Sequence, residues 1–144
     1  MESAIPKEVI VLGQIEIRYL LEGSDTKGAL AQFEVVVPPD VRVPAPRRHV
    51  TYDETIYGLA GTCTFVVEGR EFPTGVGESI FIPRGAAHYF QNRGMETARF
   101  LATVTPGVLS LDYFREIRTL MSAGGPPDLK RLSEIMLRHG LEAV

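Results

Sequence analysis

Gly77-Glu78-Ser79-Ile80-Phe81-Ile82-Pro83-Arg84-Gly85-Ala86-Ala87-His88-Tyr89-Phe90-Gln91-Asn92 is the stretch that decides the fold. It reads as a strand, a rigid turn, and a second strand that opens on a histidine. Gly77 and Gly85 permit tight turns, and Pro83 fixes φ between them. The spacing is glycine, five residues, proline, one, glycine, two, histidine, three, asparagine. Alternation places His88, Phe90 and Asn92 on one strand face, with Tyr89 and Gln91 opposite. His88 therefore looks inward while Tyr89 faces a covering element.

A matching element lies upstream: Arg47-Arg48-His49-Val50-Thr51-Tyr52-Asp53-Glu54-Thr55-Ile56-Tyr57-Gly58-Leu59-Ala60-Gly61. Arg47 and His49 share a strand face. Four residues separate His49 from Glu54, enough for a short turn into the next strand. Glu54, Ile56 and Gly58 then share a face. If antiparallel neighbours carry these residues and His88, the three side chains converge on one pocket. Two imidazoles and a carboxylate leave coordination positions open for water or substrate. They suit Fe(II), Mn, Ni, Co or Zn. Tyr52 lies in the intervening turn, placed to close the pocket mouth, and Asp53, Phe90 and Asn92 complete the expected lining. The gap after His49 leaves Asp53 as an alternative to Glu54, and the spacing to Gly61 favours Glu54.

The rest of the chain extends this pattern. Val9–Leu12 and Glu16–Leu21 read as strands broken at Gly13, and Leu30–Val37 as a third, stopped by Pro38-Pro39. Pro44 and Pro46 hold the approach to Arg47 extended. Thr55–Leu59, Thr62–Glu68, Ser79–Ile82, Ala87–Gln91 and Ala98–Thr105 continue the series, with a hairpin signal at Glu68-Gly69-Arg70. Phe65, Phe81, Phe90 and Phe100 fit the interior. Six to nine short strands with turns between them predict an all-β sandwich or barrel over about residues 9–105.

After Pro106-Gly107 the period changes to that of a helix, with a tail over about residues 110–140. Leu111, Phe114, Ile117 and Met121 share one helical face, and Ser110 is its candidate N-cap. Asp128 caps a second helix with an apolar stripe of Leu129, Leu132, Ile135 and Met136. His139-Gly140 reads as its end.

Composition narrows the function. A chain of 144 residues, 44% hydrophobic, fits one domain spanning 1–144. The net charge of −3 and the absence of a basic stripe argue against nucleic acid. No long apolar run predicts a membrane span, and the first residues carry no secretory pattern. The single cysteine, Cys63, fits a reducing cytoplasm and reads as a buried, inert thiol. An open strand edge and an apolar helix stripe would be protected in a homodimer.

At this point the residues carry a resemblance. The run Gly77–Asn92 matches the second motif of the cupin superfamily, and the run to Gly61 resembles the first. The resemblance spans roughly residues 30 to 105. The tail is similar to those of small single-domain bacterial cupins of the quercetin dioxygenase-like, conserved-barrel type. It implies an antiparallel double-stranded β-helix, a jelly roll with a C-terminal helical tail. By position it implies His49, Glu54 and His88 as metal ligands, with Gly61, Gly77, Pro83 and Gly85 as structural marks of the motifs.

Two positions depart from the pattern: Arg47 stands where a first histidine is usual, and Val41 where the opening glycine is usual. Arginine carries no free lone pair, so Arg47 is not a ligand. It is the candidate catalytic cation, binding an anionic substrate group. The implied function is a divalent-metal cupin acting as a dioxygenase or isomerase on a small organic acid or phenolic compound. The alternative is a metal-free binding module in which Arg47 pairs with Glu54 or holds an anionic ligand directly.

Overall fold

The computed structural model describes residues 6–41, 43 and 46–144. The expectation for Pro44 lies outside the described residues. Among those described, the elements in chain order are β1 Glu8–Leu12, β2 Ile15–Leu21, β3 Ala31–Val37, β4 Arg47–His49, β5 Asp53–Ala60, β6 Cys63–Val67, β7 Arg70–Thr74, β8 Ser79–Ile82, β9 His88–Gln91, β10 Ala98–Thr105, α1 Leu111–Ser122, α2 Leu129–Arg138 and β11 Leu141–Ala143. The eleven strands exceed the six to nine expected. The surplus is β7, signalled in the sequence only by the hairpin turn before it, and the three-residue β11, too short to show alternation.

The strands form two antiparallel sheets, ordered β1-β2-β3-β10-β5-β8 and β11-β4-β9-β6-β7. This is a jelly-roll-type sandwich with helices appended. No ladder joins the two sheets into a closed barrel among the described residues. Alternation drives the packing. β3 buries Ala31, Phe33, Val35 and Val37, and β10 buries Ala98, Phe100, Ala102 and Val104. Glu68 and Gly69 both take positive φ, 50° and 77°, as a two-residue type I′ hairpin requires.

An aromatic cluster ties the sheets together. Phe100 of the first sheet packs edge-on against Phe65 and Phe90 of the second, with centroids 4.9 and 5.2 Å away. Phe81 does not join them and is 60% exposed. It sits on β8, an edge strand, and alternation sends Ile82 inward and Phe81 outward.

The helices cover one end of the first sheet. Phe114 of α1 packs on Phe33 and Tyr19, at 5.2 and 6.0 Å. Leu111, Ile117, Ile135 and Met136 are buried as read, whereas Met121 and Leu129 are exposed. Met121 lies in the last turn of α1, over the β1–β2 turn at Gly13, and Leu129 opens α2. Ser110 holds the N-cap position without a side-chain bond. The Leu111 N–H instead donates to Glu22 Oε1 at 3.3 Å. Asp128 caps α2 as expected, accepting from the Arg131 N–H at 3.1 Å.

Candidate metal centre

The two sheets each contribute to one cluster between them. Glu54 enters from β5, where it pairs with Val104 of β10 and Ile82 of β8. His49 ends β4, and His88 opens β9. Arg47 and His88 face each other in the β4–β9 ladder. The turn before His88 is bonded to β4, since the Gly85 N–H donates to the His49 carbonyl at 2.7 Å. Gly85 has a φ of 86°, which glycine adopts without strain.

His49, Glu54 and His88 are 2%, 8% and 1% exposed. One ligand atom from each lies within 4.8 Å of the others. The His49 and His88 rings meet edge to face at 4.5 Å. The resulting cluster is a plausible divalent-metal coordination site.

The hydrogen-bond inventory supports that assignment. His88 Nδ1 lies 3.0 Å from the Ala86 carbonyl. A carbonyl only accepts, so Nδ1 carries the proton and Nε2 keeps a lone pair. Among the described residues, His88 Nε2 is buried without a partner, and so is His49 Nδ1. Buried nitrogens without partners are costly unless something absent from the protein alone satisfies them. A backbone bond to the second ring nitrogen is also how metal-binding histidines are oriented.

Burial pushes His49 down to about 2, helped by the His88 ring and Arg47. It pushes His88 down to about 4, again helped by Arg47 and opposed by the Ala86 bond. Both imidazoles are therefore neutral at pH 7, the form that ligates. Burial pushes Glu54 up to about 7 against the pull of Arg47. A metal ion would take the place of that carboxyl proton.

Arg47 is half-buried, with its guanidinium 5.8 Å from the Phe90 ring centroid. Its neighbour Arg48 pairs with Glu142 at 3.4 Å. Arg47 makes no ion pair among the described residues, so the Arg47–Glu54 pair of the metal-free alternative is not formed. Phe90 is buried beneath the guanidinium and belongs equally to the aromatic cluster.

Tyr52 does not close a mouth. It is fully buried and stacks on His49 at 4.4 Å, with its hydroxyl unpartnered. Asp53 faces away: it accepts from the Arg84 N–H at 2.8 Å and pairs with the Arg84 guanidinium at 3.0 Å. The choice between Asp53 and Glu54 thus falls to Glu54. Asn92 lies beyond the far end of β9, where its amide donates to the carbonyls of Val37 and Glu96 at 2.9 and 2.7 Å.

Gly61 has a φ of 59°, and a Cβ there would lie 2.6 Å from the Thr97 carbonyl oxygen. Gly77, with a φ of 79°, donates to the Gly58 carbonyl at 3.0 Å, and Pro83 accepts from Ala86 at 3.2 Å. Cys63 is buried, and burial pushes its thiol up to about 12. Two parts of the site were not read from sequence: the burial of Tyr52 and the pairing of β11 with β4. The only sequence sign of the latter was Gly140 as a helix stop.

No curated protein matches this chain. Among solved structures, the chain is 27% identical to the polyketide cyclase RemF from Streptomyces resistomycificus, covering 80% of this chain and 93% of that one, with a TM-score of 0.62. It is 24% identical to a predicted oxalate decarboxylase from Thermotoga maritima, over 72% and 94%, with a TM-score of 0.63. It is 21% identical to a cupin-superfamily sugar phosphate isomerase from Silicibacter pomeroyi, over 72% and 71%, with a TM-score of 0.56. The last two likenesses show the fold alone. Among the described residues, no helix is long and apolar enough to cross a membrane. The family model for the cupin domain matches residues 33–104, half of the chain, and this chain therefore belongs to the cupin family.

Proposed function

We propose that this cupin is a divalent-metal enzyme that acts without redox change on a small organic acid or phenolic compound, as in an isomerisation or decarboxylation that passes through an enolate. The observation that carries the reading is the set of imidazole nitrogens of His49 and His88 left without partners among the described residues, clustered with Glu54 beside an Arg47 that forms no ion pair there. His49, Glu54 and His88 would hold the ion. When bound, the metal supplies Lewis-acid polarisation of a substrate oxygen.

The protein's own residues do the rest. Arg47 offers a fixed cation to an oxyanion, in a site whose burial strengthens the interaction. With a divalent ion present, one carboxylate cannot balance the ion and Arg47 together, and an anionic ligand restores the balance. Tyr52 stacks on His49 and limits its ring rotation. The likeness to a polyketide cyclase supports a keto-bearing organic substrate. In the same reading the protein works in the cytoplasm as a homodimer that covers an open sheet edge.

The test is metal content by plasma mass spectrometry on tag-free protein, for wild type, His49→Ala and His88→Ala. Near-stoichiometric metal in wild type alone is the expected result. An oxygen-uptake screen on the iron-loaded protein separates this reading from the quercetin dioxygenase-like one, because sustained uptake with a phenolic substrate would replace it. A wild type that takes up no Fe, Mn, Ni, Co or Zn sinks the metal reading and leaves Arg47 as a direct anion binder.

A further inference from the structure

We propose that Gly140 and β11, the strand it leads into, are positioning elements of the metal centre. The proposal rests on the metal-binding reading above. β4 has three residues and carries both Arg47 and His49. Against β9 it shares a single register pair, Arg47 with His88. Against β11 it shares three: Leu141 with His49, Glu142 with Arg48, and Ala143 with Arg47. Two backbone bonds frame that ladder. The Val50 N–H donates to the Gly140 carbonyl at 2.7 Å, and the Val144 N–H to the Pro46 carbonyl at 3.2 Å. The register of the His49 strand is therefore set mainly by a segment more than ninety residues downstream.

Gly140 adds a steric link. Its φ is 82°, and a Cβ there would lie 2.7 Å from Thr51 Oγ1 and 3.4 Å from the Tyr52 ring. Tyr52 in turn is stacked on the His49 imidazole. A side chain at 140 must displace the Thr51 hydroxyl or the turn that carries it, and that turn leads into the Tyr52 ring on His49. Leu141, opposite His49, is 1% exposed, so β11 is anchored in the core and not merely laid on the edge. The helix before it is fixed as well, since His139 Nε2 lies 2.7 Å from Glu116 of α1. A metal ligand must be held to a few tenths of an ångström, and β11 supplies that restraint for His49. Coupling of this kind is reciprocal: what steadies His49 must also steady β11.

The experiment compares tag-free wild type, Gly140→Ala, Gly124→Ala and the double variant Thr51→Ala/Gly140→Ala. Each is titrated with Co(II) in competition with a chromophoric chelator, and each metal-free form is melted. Gly124 is a matched control. It has a φ of 75°, no atom within 4 Å of its Cβ position, and a place in the turn between α1 and α2. Cobalt affinity of Gly140→Ala is expected to fall about 10- to 100-fold, the range seen when groups supporting a metal ligand are altered. Gly124→Ala keeps the wild-type affinity, and removal of the Thr51 hydroxyl restores part of the loss.

Hydrogen exchange on wild type gives a second readout that stands even if Gly140→Ala does not fold. Cobalt loading slows the amides of Val50 and of residues 141–144. Equal affinities for Gly140→Ala and Gly124→Ala overturn the proposal, as does exchange at β11 that ignores cobalt. A wild type that binds no cobalt overturns the metal reading instead, and this proposal with it.

Discussion

The strand that carries Glu54 and the strand that carries His49 meet at one site but are held in different ways. β5 has eight residues and lies between β10 and β8, laddered on both sides. Its inward residues, Glu54 and Ile56, share their face with Phe100 of β10, whose aromatic partners tie this sheet to the other. β4 has three residues and borrows most of its ladder from β11. The carboxylate is thus mounted on the pre-formed sandwich, while one imidazole and the arginine are mounted on a strand completed by distant chain. Local openings with few ladder bonds are the ones that occur first in folded proteins. The metal centre therefore has a fixed half and an adjustable half, and the two can be perturbed separately.

The largest effect should come from the fixed half. Phe100→Ala removes the ring that joins Phe65 and Phe90 across the two sheets. A buried phenylalanine truncated to alanine costs about 3–5 kcal/mol. Equilibrium unfolding in urea at pH 7 measures it. A cost below about 1 kcal/mol would mean that the cavity collapses freely, and the sandwich would then not be the rigid partner in the comparison.

Glu54 gives the next effect, and its sign runs against the usual carboxylate. Its folded value, about 7, lies above its ordinary 4.5 because it is buried. The stability this group contributes is therefore fully present below pH 4.5 and is lost as pH rises through 7. The gap corresponds to about 3 kcal/mol. His49 and His88 act the other way. Their folded values, about 2 and about 4, lie below 6.5, so their contribution is present above pH 6.5 and lost as pH falls. Comparing wild type with Glu54→Gln isolates the carboxyl. Between pH 4.5 and 7 the metal-free wild type should lose about 3 kcal/mol relative to the variant. A constant difference across that range would place the carboxylate in water and out of the cluster.

The same contrast explains what could be read from the chain. His88 and Glu54 were legible because each lies on a strand whose alternation sorts inward from outward residues: His88, Phe90 and Asn92 are buried, as are Glu54, Ile56 and Gly58. Alternation also separates Asp53 from Glu54 once the β5 register is fixed. Phe81 departs from the expected interior because hydrophobicity does not tell an edge strand's outer face from its inner one. Asn92 was grouped with His88 by face, correctly, but face says nothing of distance along a strand. β11 was illegible: Leu141–Ala143 is too short to show a period, and its partner lies far away in sequence. A tyrosine in a turn is expected at a mouth because turns are usually exposed, yet Tyr52 is not. Its ring is instead fully buried, stacked on His49, with Gly140 packed close beside it.

Tyr52 yields a smaller prediction of opposite direction. Its hydroxyl is buried with no partner among the described residues, a situation that costs about 1–3 kcal/mol. Tyr52→Phe keeps the ring against His49 and removes the orphaned group. The metal-free variant should be more stable than wild type by about 1 kcal/mol, read from its denaturant midpoint at unchanged slope. A loss of stability would mean that an ordered water satisfies the hydroxyl, and the adjustable half would then be better packed than the bonds among its own residues indicate.

The smallest effect tests how far the adjustable half extends. Glu116 on α1 accepts from Arg138 at 3.0 Å and lies 2.7 Å from His139, the residue just before Gly140. Arg138 first, then His139, holds the Glu116 carboxyl below its usual 4.5. Its contribution is therefore present above pH 4.5 and lost as pH falls through the folded value. The side chain is 36% exposed, so Glu116→Gln should cost less than about 1 kcal/mol at pH 7, and less still in 1 M salt. Its cobalt affinity decides the point at issue. If β11 restrains His49 through its own ladder and through Gly140, Glu116→Gln binds cobalt as wild type does. If the variant loses affinity as Gly140→Ala does, the restraint runs through the α2 terminus back to α1, and the helical tail as a whole, not β11 alone, belongs to the half of the site that carries Arg47 and His49.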